Sequence, residues 1–327
     1  MKRRDFIGLL GGAVAWPRAA LAQQTILPVV GVVSGQSSHA DARNAAAFHK
    51  GLNETGYVDG NNVTVEYHWI AGQYDRLPAL MADLVRRQVA VIATTGNNTT
   101  ALAAKAATST IPIVFSVGED PVKMGLVASL ARPGGNATGI NDFLTEVEGK
   151  RLRLLHDLVP KAVRIAVLVN PGNVVSAEGA LQGAQQAAAA TGLQIRPLKA
   201  TTIGDIDAAF ASFAQERPDA LFVAADAFFA TRAAQFITLT ARDRIPAAYS
   251  LRDYVFGGGL MSYGADLAEA GRQVGVYTGS ILKGAKPADL PVLQSTKFDF
   301  VLNLQTARAL GIDVPSGVLS IVDEVIE

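Results

Sequence analysis

The chain contains no cysteine. That excludes disulfides, thiolate nucleophiles, iron–sulfur clusters and cysteine-held zinc, so packing alone must hold the fold, whatever the redox state of its compartment. Histidine is almost as scarce, with four residues at 39, 49, 68 and 156, and no two stand at metal-motif spacing such as H-E-x-x-H. No metal or other cofactor is therefore expected. Excess positive charge is missing too. Setting aside Lys2, Arg3, Arg4, Arg18 and Asp5 of the N-terminal stretch leaves 25 basic residues against 28 acidic ones, a net charge of −3. This gives no electrostatic footprint for nucleic acid or anionic lipid. Nucleotide fingerprints are absent as well: Val30–Ser34 leads into V-G-V-V-S-G, not G-x-G-x-x-G, and neither G-x-x-x-x-G-K-[ST] nor G-x-S-x-G occurs.

The chain does hold a short basic-then-apolar leader. Met1-Lys2-Arg3-Arg4-Asp5-Phe6-Ile7 carries an arginine pair in R-R-x-F-I, an uncharged stretch follows to Val14, and Ala20-Leu21-Ala22 ends it as a small-x-small site. These are the parts of a bacterial export signal of twin-arginine type, with cleavage expected near Ala22–Gln23 and the mature chain in the periplasm. The alternative, a membrane anchor, is disfavoured. The apolar core falls well short of the roughly 20 residues a spanning helix needs, and Pro17 and Arg18 interrupt it.

From Pro28 onward, β-branched apolar runs alternate with helical spacing. Strands are expected at 28–33, 63–69, 89–94 and 111–117, with helices at 41–56, about 77–85, 99–107 and 121–130 between or after them. Ala137–Ile140 adds a short strand. The alternation then restarts, with helices at 145–158, 176–191, 204–216 and 229–243 and strands at 164–169, 193–197, 220–224 and 245–249. This predicts an α/β protein of two doubly wound parallel-sheet lobes. A smaller third section, with a strand at 257–263, a long helix ending at Lys283-Gly284, a strand at 298–302 and a helix at 305–310, implies a chain that crosses back between the lobes. The expected division is a leader over 1–22, lobe I over 23–140 plus about 264–292, and lobe II over 141–263 plus about 293–327.

Open parallel sheets bind ligands beyond the carboxyl ends of their strands, where helix N-termini converge. The residues at those positions are Ser34 and Gln36, then Thr95, Gly96 and Asn97, then Ser116 and Asp120, and in the second unit Asn170, Asp226, Phe228 and Tyr249, with Tyr263 after the glycines at 257–259. Hydroxyls, amides and glycines suit a small neutral or zwitterionic organic ligand better than a phosphate. Asp226 offers an acceptor for an ammonium, and Phe228, Tyr249 and Tyr263 offer apolar surface. The same residue types also serve as ordinary helix caps, and Asp120 before Pro121 has the form of an N-cap with proline at the first helical position.

Several stretches carry a family resemblance. Ser116-Val117-Gly118-Glu119-Asp120-Pro121-Val122 and Gly125-Leu126-Val127-Ala128-Ser129-Leu130-Ala131-Arg132-Pro133-Gly134-Gly135-Asn136-Ala137-Thr138-Gly139 are similar to G-x-D-P-V…G-L-V-x-S-L-A-R-P-G-G-N-x-T-G. Gly258–Gly264, Ile281–Val292, Asn303–Gly311 and Asp323–Glu327 match as well. The chain thereby resembles the ABC transporter substrate-binding proteins related to the tryptophan- and tyrosine-binding group. The resemblance implies a type I periplasmic binding protein fold with a three-crossing hinge and no enzymatic activity. It also implies a small-molecule ligand held between the lobes, a membrane permease as partner and a monomeric receptor. It carries over Thr95, Gly96, Ser116 and Asp120 in lobe I and Asp226 and Tyr249 in lobe II as ligand contacts. Glu119 departs from the smaller residue more usual at its position, which leaves pocket size and charge open. The ligand it implies is an amino acid, aromatic or branched, or an aromatic acid. A sensing partner for a membrane kinase and an exported enzyme stand as the alternatives.

Overall fold

The computed structural model describes residues 27–144 and 147–327. The leader and its cleavage site lie outside the described residues. In chain order the elements begin β1 (Val29–Ser34), α1 (Ala42–Glu54), β2 (Thr64–Trp69), α2 (Leu77–Arg86), β3 (Val91–Thr95), α3 (Asn98–Ala107), β4 (Ile113–Val117) and β5 (Ala137–Asn141). A second series follows: α4 (Glu148–Leu158), β6 (Arg164–Val169), α5 (Val174–Thr191), β7 (Gln194–Lys199), α6 (Ile203–Ala211), β8 (Ala220–Val223), α7 (Ala227–Ala230), α8 (Ala233–Asp243) and β9 (Ala247–Tyr249). The chain closes with α9 (Arg252–Phe256), β10 (Met261–Ala265), α10 (Leu267–Leu282), β11 (Leu293–Gln294), β12 (Phe298–Asn303), α11 (Leu304–Leu310), α12 (Ser316–Leu319) and β13 (Glu324–Ile326).

These strands form two sheets, ordered β11-β5-β4-β3-β1-β2 and β13-β12-β10-β9-β8-β6-β7. Every pairing is parallel except β10 with β12. Near-continuous apolar runs such as Val29–Val33 and Ile165–Val169 are buried because helices cover both sheet faces. Each sheet accordingly has a core on each face. The chain passes between the sheets three times: after β5, after β10 and after β11. The helix α10 returns to pack along α1. Their backbones nearly touch, since a Cβ on Gly275 would stand 2.2 Å from the Phe48 carbonyl oxygen and one on Gly51 1.9 Å from that of Arg272.

The expected helix over 121–130 does not form. Asp120 Oδ1 accepts from the Val122 and Lys123 amides at 2.8 and 3.4 Å, closing a turn, and Gly125 then takes φ +72°. The next two side chains, Leu126 and Val127, are buried instead of continuing a helix. The helix expected over 229–243 is two helices, because Asp226 caps a separate short α7 that closes at Thr231, whose hydroxyl donates to the Phe228 carbonyl. The strand expected from Gly257 starts at Met261; the glycines end α9, an element the glycine-rich composition concealed.

Candidate functional site

In both sheets the strand order reverses direction beside the first strand, between β1 and β3 and between β6 and β8. The carboxyl ends of those four strands face one another across the gap between the lobes. Asp226, at the end of β8, is the hub of the contacts there. Its Oδ1 accepts from Asn170 Nδ2 at 2.9 Å and from the Phe228 and Phe229 amides at 2.9 and 3.3 Å. Its Oδ2 accepts from Asn173 Nδ2 at 3.1 Å and from the Tyr74 hydroxyl at 3.2 Å. Burial pushes its pKa up, while the Asn170 and Asn173 amides pull it back down. With five donors already in place, this carboxylate has little acceptor capacity left for a ligand ammonium. The sequence-based role for Asp226 is therefore corrected: it is a helix cap and a lobe-to-lobe junction.

Tyr74 belongs to the first lobe and also accepts from Asn97 Nδ2 at 3.0 Å. Two more hydrogen bonds cross the gap, Asn98 Nδ2 to Ser176 Oγ at 3.0 Å and Thr99 Oγ1 to Asn173 Oδ1 at 3.2 Å. The N-terminal turns of α3 and α5 thus meet side by side, with the lobes drawn together.

Three cavities open along this seam. The first, about 30 Å³, lies at the α3 and α5 N-termini among Gly96, Asn97, Asn98, Gly118, Asn173 and Ser176. A second, also about 30 Å³, lies nearer the crossings, with Arg43, Arg252, Asp253, Ser262, Asp266 and Asp299 in its wall. The third, about 450 Å³, is an outward groove with Ala230, Ala234, Ile237 and Tyr254 along it. Gln36 and Leu251 line all three. Gln36 is only 4% exposed, and its side-chain amide makes no hydrogen bond among the described residues.

Of the residues singled out in the sequence, Gln36, Gly96, Asn97 and Asp226 line the cavities. Ser34, Thr95 and Ser116 are buried beneath them: Ser34 Oγ accepts from the Gln36 amide, and Ser116 Oγ donates to Asp142. Asn170 supports Asp226, and Asp120 caps its turn. Phe228, Tyr249 and Tyr263 are corrected to core positions. Phe228 is buried where a Cβ on Gly72 would stand 2.6 Å from it. Tyr249 stacks on Tyr254 with ring centroids 4.4 Å apart, and Tyr263 stacks on Phe298 at 6.1 Å while its hydroxyl accepts from Lys150 Nζ. Side chains within a strand leave through the sheet faces, not off its end, so position near a strand terminus does not bring them to the gap. The sequence reading missed Tyr74, Ser176, Leu251 and Asp253; Asn98, Asn173 and Ser250 stood in the strand-end loops it drew on but were left out of the ligand set, Asn98 as a helix cap. The usable signal for Asn98 and Ser176 was their place in the first turn of a helix that follows a strand. Tyr74, opening a one-turn 3₁₀ helix after an edge strand, carried none.

Among the described residues no cluster of histidine and carboxylate side chains is placed to hold a metal ion, and no helix is long and apolar enough to cross a membrane. The model of the ABC transporter substrate binding protein family matches residues 28–326. The chain belongs to this family. It is 27% identical over 263 residues to a tyrosine-binding protein of Clostridioides difficile (strain R20291), covering 80% of this chain and 75% of the relative. A solved ABC domain from Streptococcus pneumonia in complex with L-Trp superposes with a TM-score of 0.82 at 25% identity, over 92% of this chain and 100% of the other. The ligand-free, open structure of a substrate-binding protein from Clostridium difficile gives 0.62 at the same 25% identity, over 92% and 99%. At equal identity, this family member's lobes superpose better on the ligand-bound relative than on the open one, in keeping with the hydrogen bonds across its own seam. The two doubly wound lobes are those of the type I periplasmic binding protein fold, shared with more distant LacI-type structures.

Proposed function

We propose that this family member is the extracytoplasmic receptor of an ABC importer. It would close two lobes on a small organic ligand, an amino acid with an aromatic or branched side chain or an aromatic acid, and hand it to a membrane permease. Lobe I would comprise the chain to Asn141 and the return over 266–294, lobe II the remainder after Asn141. The reading places the mature protein in the periplasm as a monomer.

The observation that carries it is the meeting of three cavities at Gln36 and Leu251 in the seam between the lobes. The cavity at the α3 and α5 N-termini offers backbone N–H groups and amide or hydroxyl side chains, a setting for a carboxylate. The groove along Ala230, Ala234, Ile237 and Tyr254 offers apolar surface for a bulky side chain. A ligand touching both lobes favours the closed state by its additional contacts there. The two relatives, one named for tyrosine and one solved with L-Trp, support the same ligand class.

The test is a thermal-shift screen of the mature chain against the standard amino acids and aromatic acids, followed by titration calorimetry of the hits. A ligand that binds only the native state raises the melting temperature. Stoichiometric binding of an aromatic or branched amino acid or aromatic acid is expected; a flat response to all of them sinks the reading.

A further inference from the structure

Among the described residues, two leucines in the seam belong to no core. Leu144, just past the first crossing, is 7% exposed, and Leu267, just past the second, is half-buried, yet neither packs into the cores on the sheet faces. Both instead line the cavity at the α3 and α5 N-termini. Each lies over a glycine of the same wall: a Cβ on Gly118 would stand 2.9 Å from the Leu144 Cβ, and one on Gly96 3.9 Å from Leu267 Cδ1. Leu251 of the second lobe completes the wall, and Leu251 and Leu267 continue into the cavity nearer the crossings. Among the described residues, no aromatic ring lines either of these two cavities. The rings nearby are committed elsewhere: Phe228 and Tyr263 to the core, and Tyr249 to its stack with Tyr254, which borders only the outward groove.

We infer that Leu144, Leu251 and Leu267 seat the ligand's side chain and select a branched aliphatic one over an aromatic ring, with Leu144 setting the size that fits. Apolar side chains held in a cavity wall, outside any core, gain their burial from what enters the cavity. A leucine wall can meet branched methyl groups at the density of a protein interior, but it gives an aromatic ring nothing to stack on or meet edge-on. The enclosed space is also small, about 30 Å³ in each cavity, so a ring would have to push a leucine aside, and overpacking of that kind is unfavourable. The outward groove lies beyond Leu251 and opens to solvent, so a side chain held there would keep part of its surface wet. Leu144 sets the limit because it is confined on two sides, by Gly118 after β4 and by Gly264 of β10, where a Cβ would stand 3.7 Å from Leu144 Cδ2. The inference rests on the receptor reading above and narrows its ligand class.

Titration calorimetry of the mature chain with valine, isoleucine and leucine against phenylalanine, tyrosine, tryptophan and their deaminated acids tests it. The best aliphatic ligand should bind at least about tenfold tighter than any aromatic one, the scale of discrimination a methylene commands in a closed apolar pocket. Leu144→Ala should weaken the aliphatic ligand about tenfold or more and cut its lead over phenylalanine to within about threefold, because the lost side chain makes room for the ring. Leu267→Ala should move the ratio the same way by a smaller factor, and it decides the matter if Leu144→Ala melts far below the parent. An aromatic ligand bound by the intact protein as tightly as the best aliphatic one overturns the inference, as does an unchanged ratio in a Leu144→Ala variant that melts with the parent; either leaves the receptor reading standing. Binding of none of these compounds overturns both.

Discussion

The hydroxyl of Tyr74 donates to Asp226 Oδ2 at 3.2 Å across the seam, while accepting from Asn97 of its own lobe. One phenol thereby ties the α3 N-terminus of one lobe to the α7 cap of the other. The bond exists only when the lobes are together, so it contributes to closure and nothing to either lobe alone. Burial and the neighbouring Asp226 hold the Tyr74 phenol far above its ordinary pKa, so it remains a donor at any physiological pH. Tyr74→Phe should therefore shift the protein toward the open state, with ligand affinity reduced about ten- to hundredfold, the range for a hydrogen bond to a charged acceptor. Small-angle scattering of the ligand-free variant should report a larger radius of gyration than the parent. An unchanged radius and an unchanged dissociation constant would exclude the closing role.

Asp226→Ala should act mainly on stability. The substitution leaves the Phe228 and Phe229 amides and the amides of Asn170 and Asn173 without their shared acceptor. Loss of a cap costs about 1 kcal/mol and stranded buried donors add to it, for an expected loss of about 2–4 kcal/mol in denaturant unfolding. Asp226→Asn keeps one carbonyl acceptor and should recover part of the loss. If the alanine variant unfolds at the parent's denaturant concentration, the hub assignment fails.

The two-lobed architecture was legible because buried parallel strands announce themselves as apolar runs, and the runs 28–33, 89–94, 164–169 and 220–224 have no rival interpretation at their length. The places where the reading failed share one physical cause. Between 121 and 130 the helical spacing of apolar residues is real, but Asp120 and Gly125 impose turns that outweigh it. The site was legible only as strand-end loops. Whether a side chain there caps a helix, as Asp226 does, or faces the gap, as Gln36 does, depends on partners from the other lobe, Tyr74 among them, that no local pattern encodes. Tyr249 and Tyr263 misled for a related reason: their types suit a ligand, but strand alternation sends them into the core.

The α1–α10 contact makes a sharp stability prediction. Gly275→Ala would place a methyl group 2.2 Å from the Phe48 carbonyl oxygen and 2.8 Å from the Leu52 amide nitrogen, both backbone atoms that cannot swing aside. The helix pair must separate, and α10 is the element that returns to the first sheet after the second crossing. A loss of about 1–3 kcal/mol is expected from overpacking, against the few tenths gained from better helix propensity. Chemical denaturation measures it directly. Gly284→Ala is the control for steric cause, since nothing lies near its Cβ position even though its φ is +100°; its cost should be limited to that of the backbone conformation, about 1–2 kcal/mol. A neutral Gly275→Ala would mean the helices are not held at this distance.

The crossings carry a buried acid whose titration should be visible in stability. Asp142 follows β5 at the first crossing and accepts from Ser116 at the end of β4 and from Ser295 at the third crossing, the latter at 3.4 Å. Burial pushes its pKa up to about 7 from 3.8, against the pull of the two serine hydroxyls. In the folded state it keeps its proton at pH values where the unfolded chain has released it. Folding is thus favoured at the acid end of that window, and the contribution falls as pH rises from about 4 to about 7. Asp41 and Glu148, pushed up to about 6 and about 7 by burial, act with the same sign. Surface acids act oppositely: hydrogen bonds from the Thr201 amide hold Asp205 low, and those from Arg242 and Arg272 hold Asp243 and Glu269 low, so their contribution disappears below about pH 4. The melting temperature should therefore peak near pH 5 and decline toward pH 7.5. Asp142→Asn, neutral at every pH and able to keep one acceptor oxygen, should flatten that decline without lowering the value at pH 5 by more than a few degrees. Parallel slopes for the parent and Asp142→Asn between pH 5 and 7.5 would show that the proton is held elsewhere.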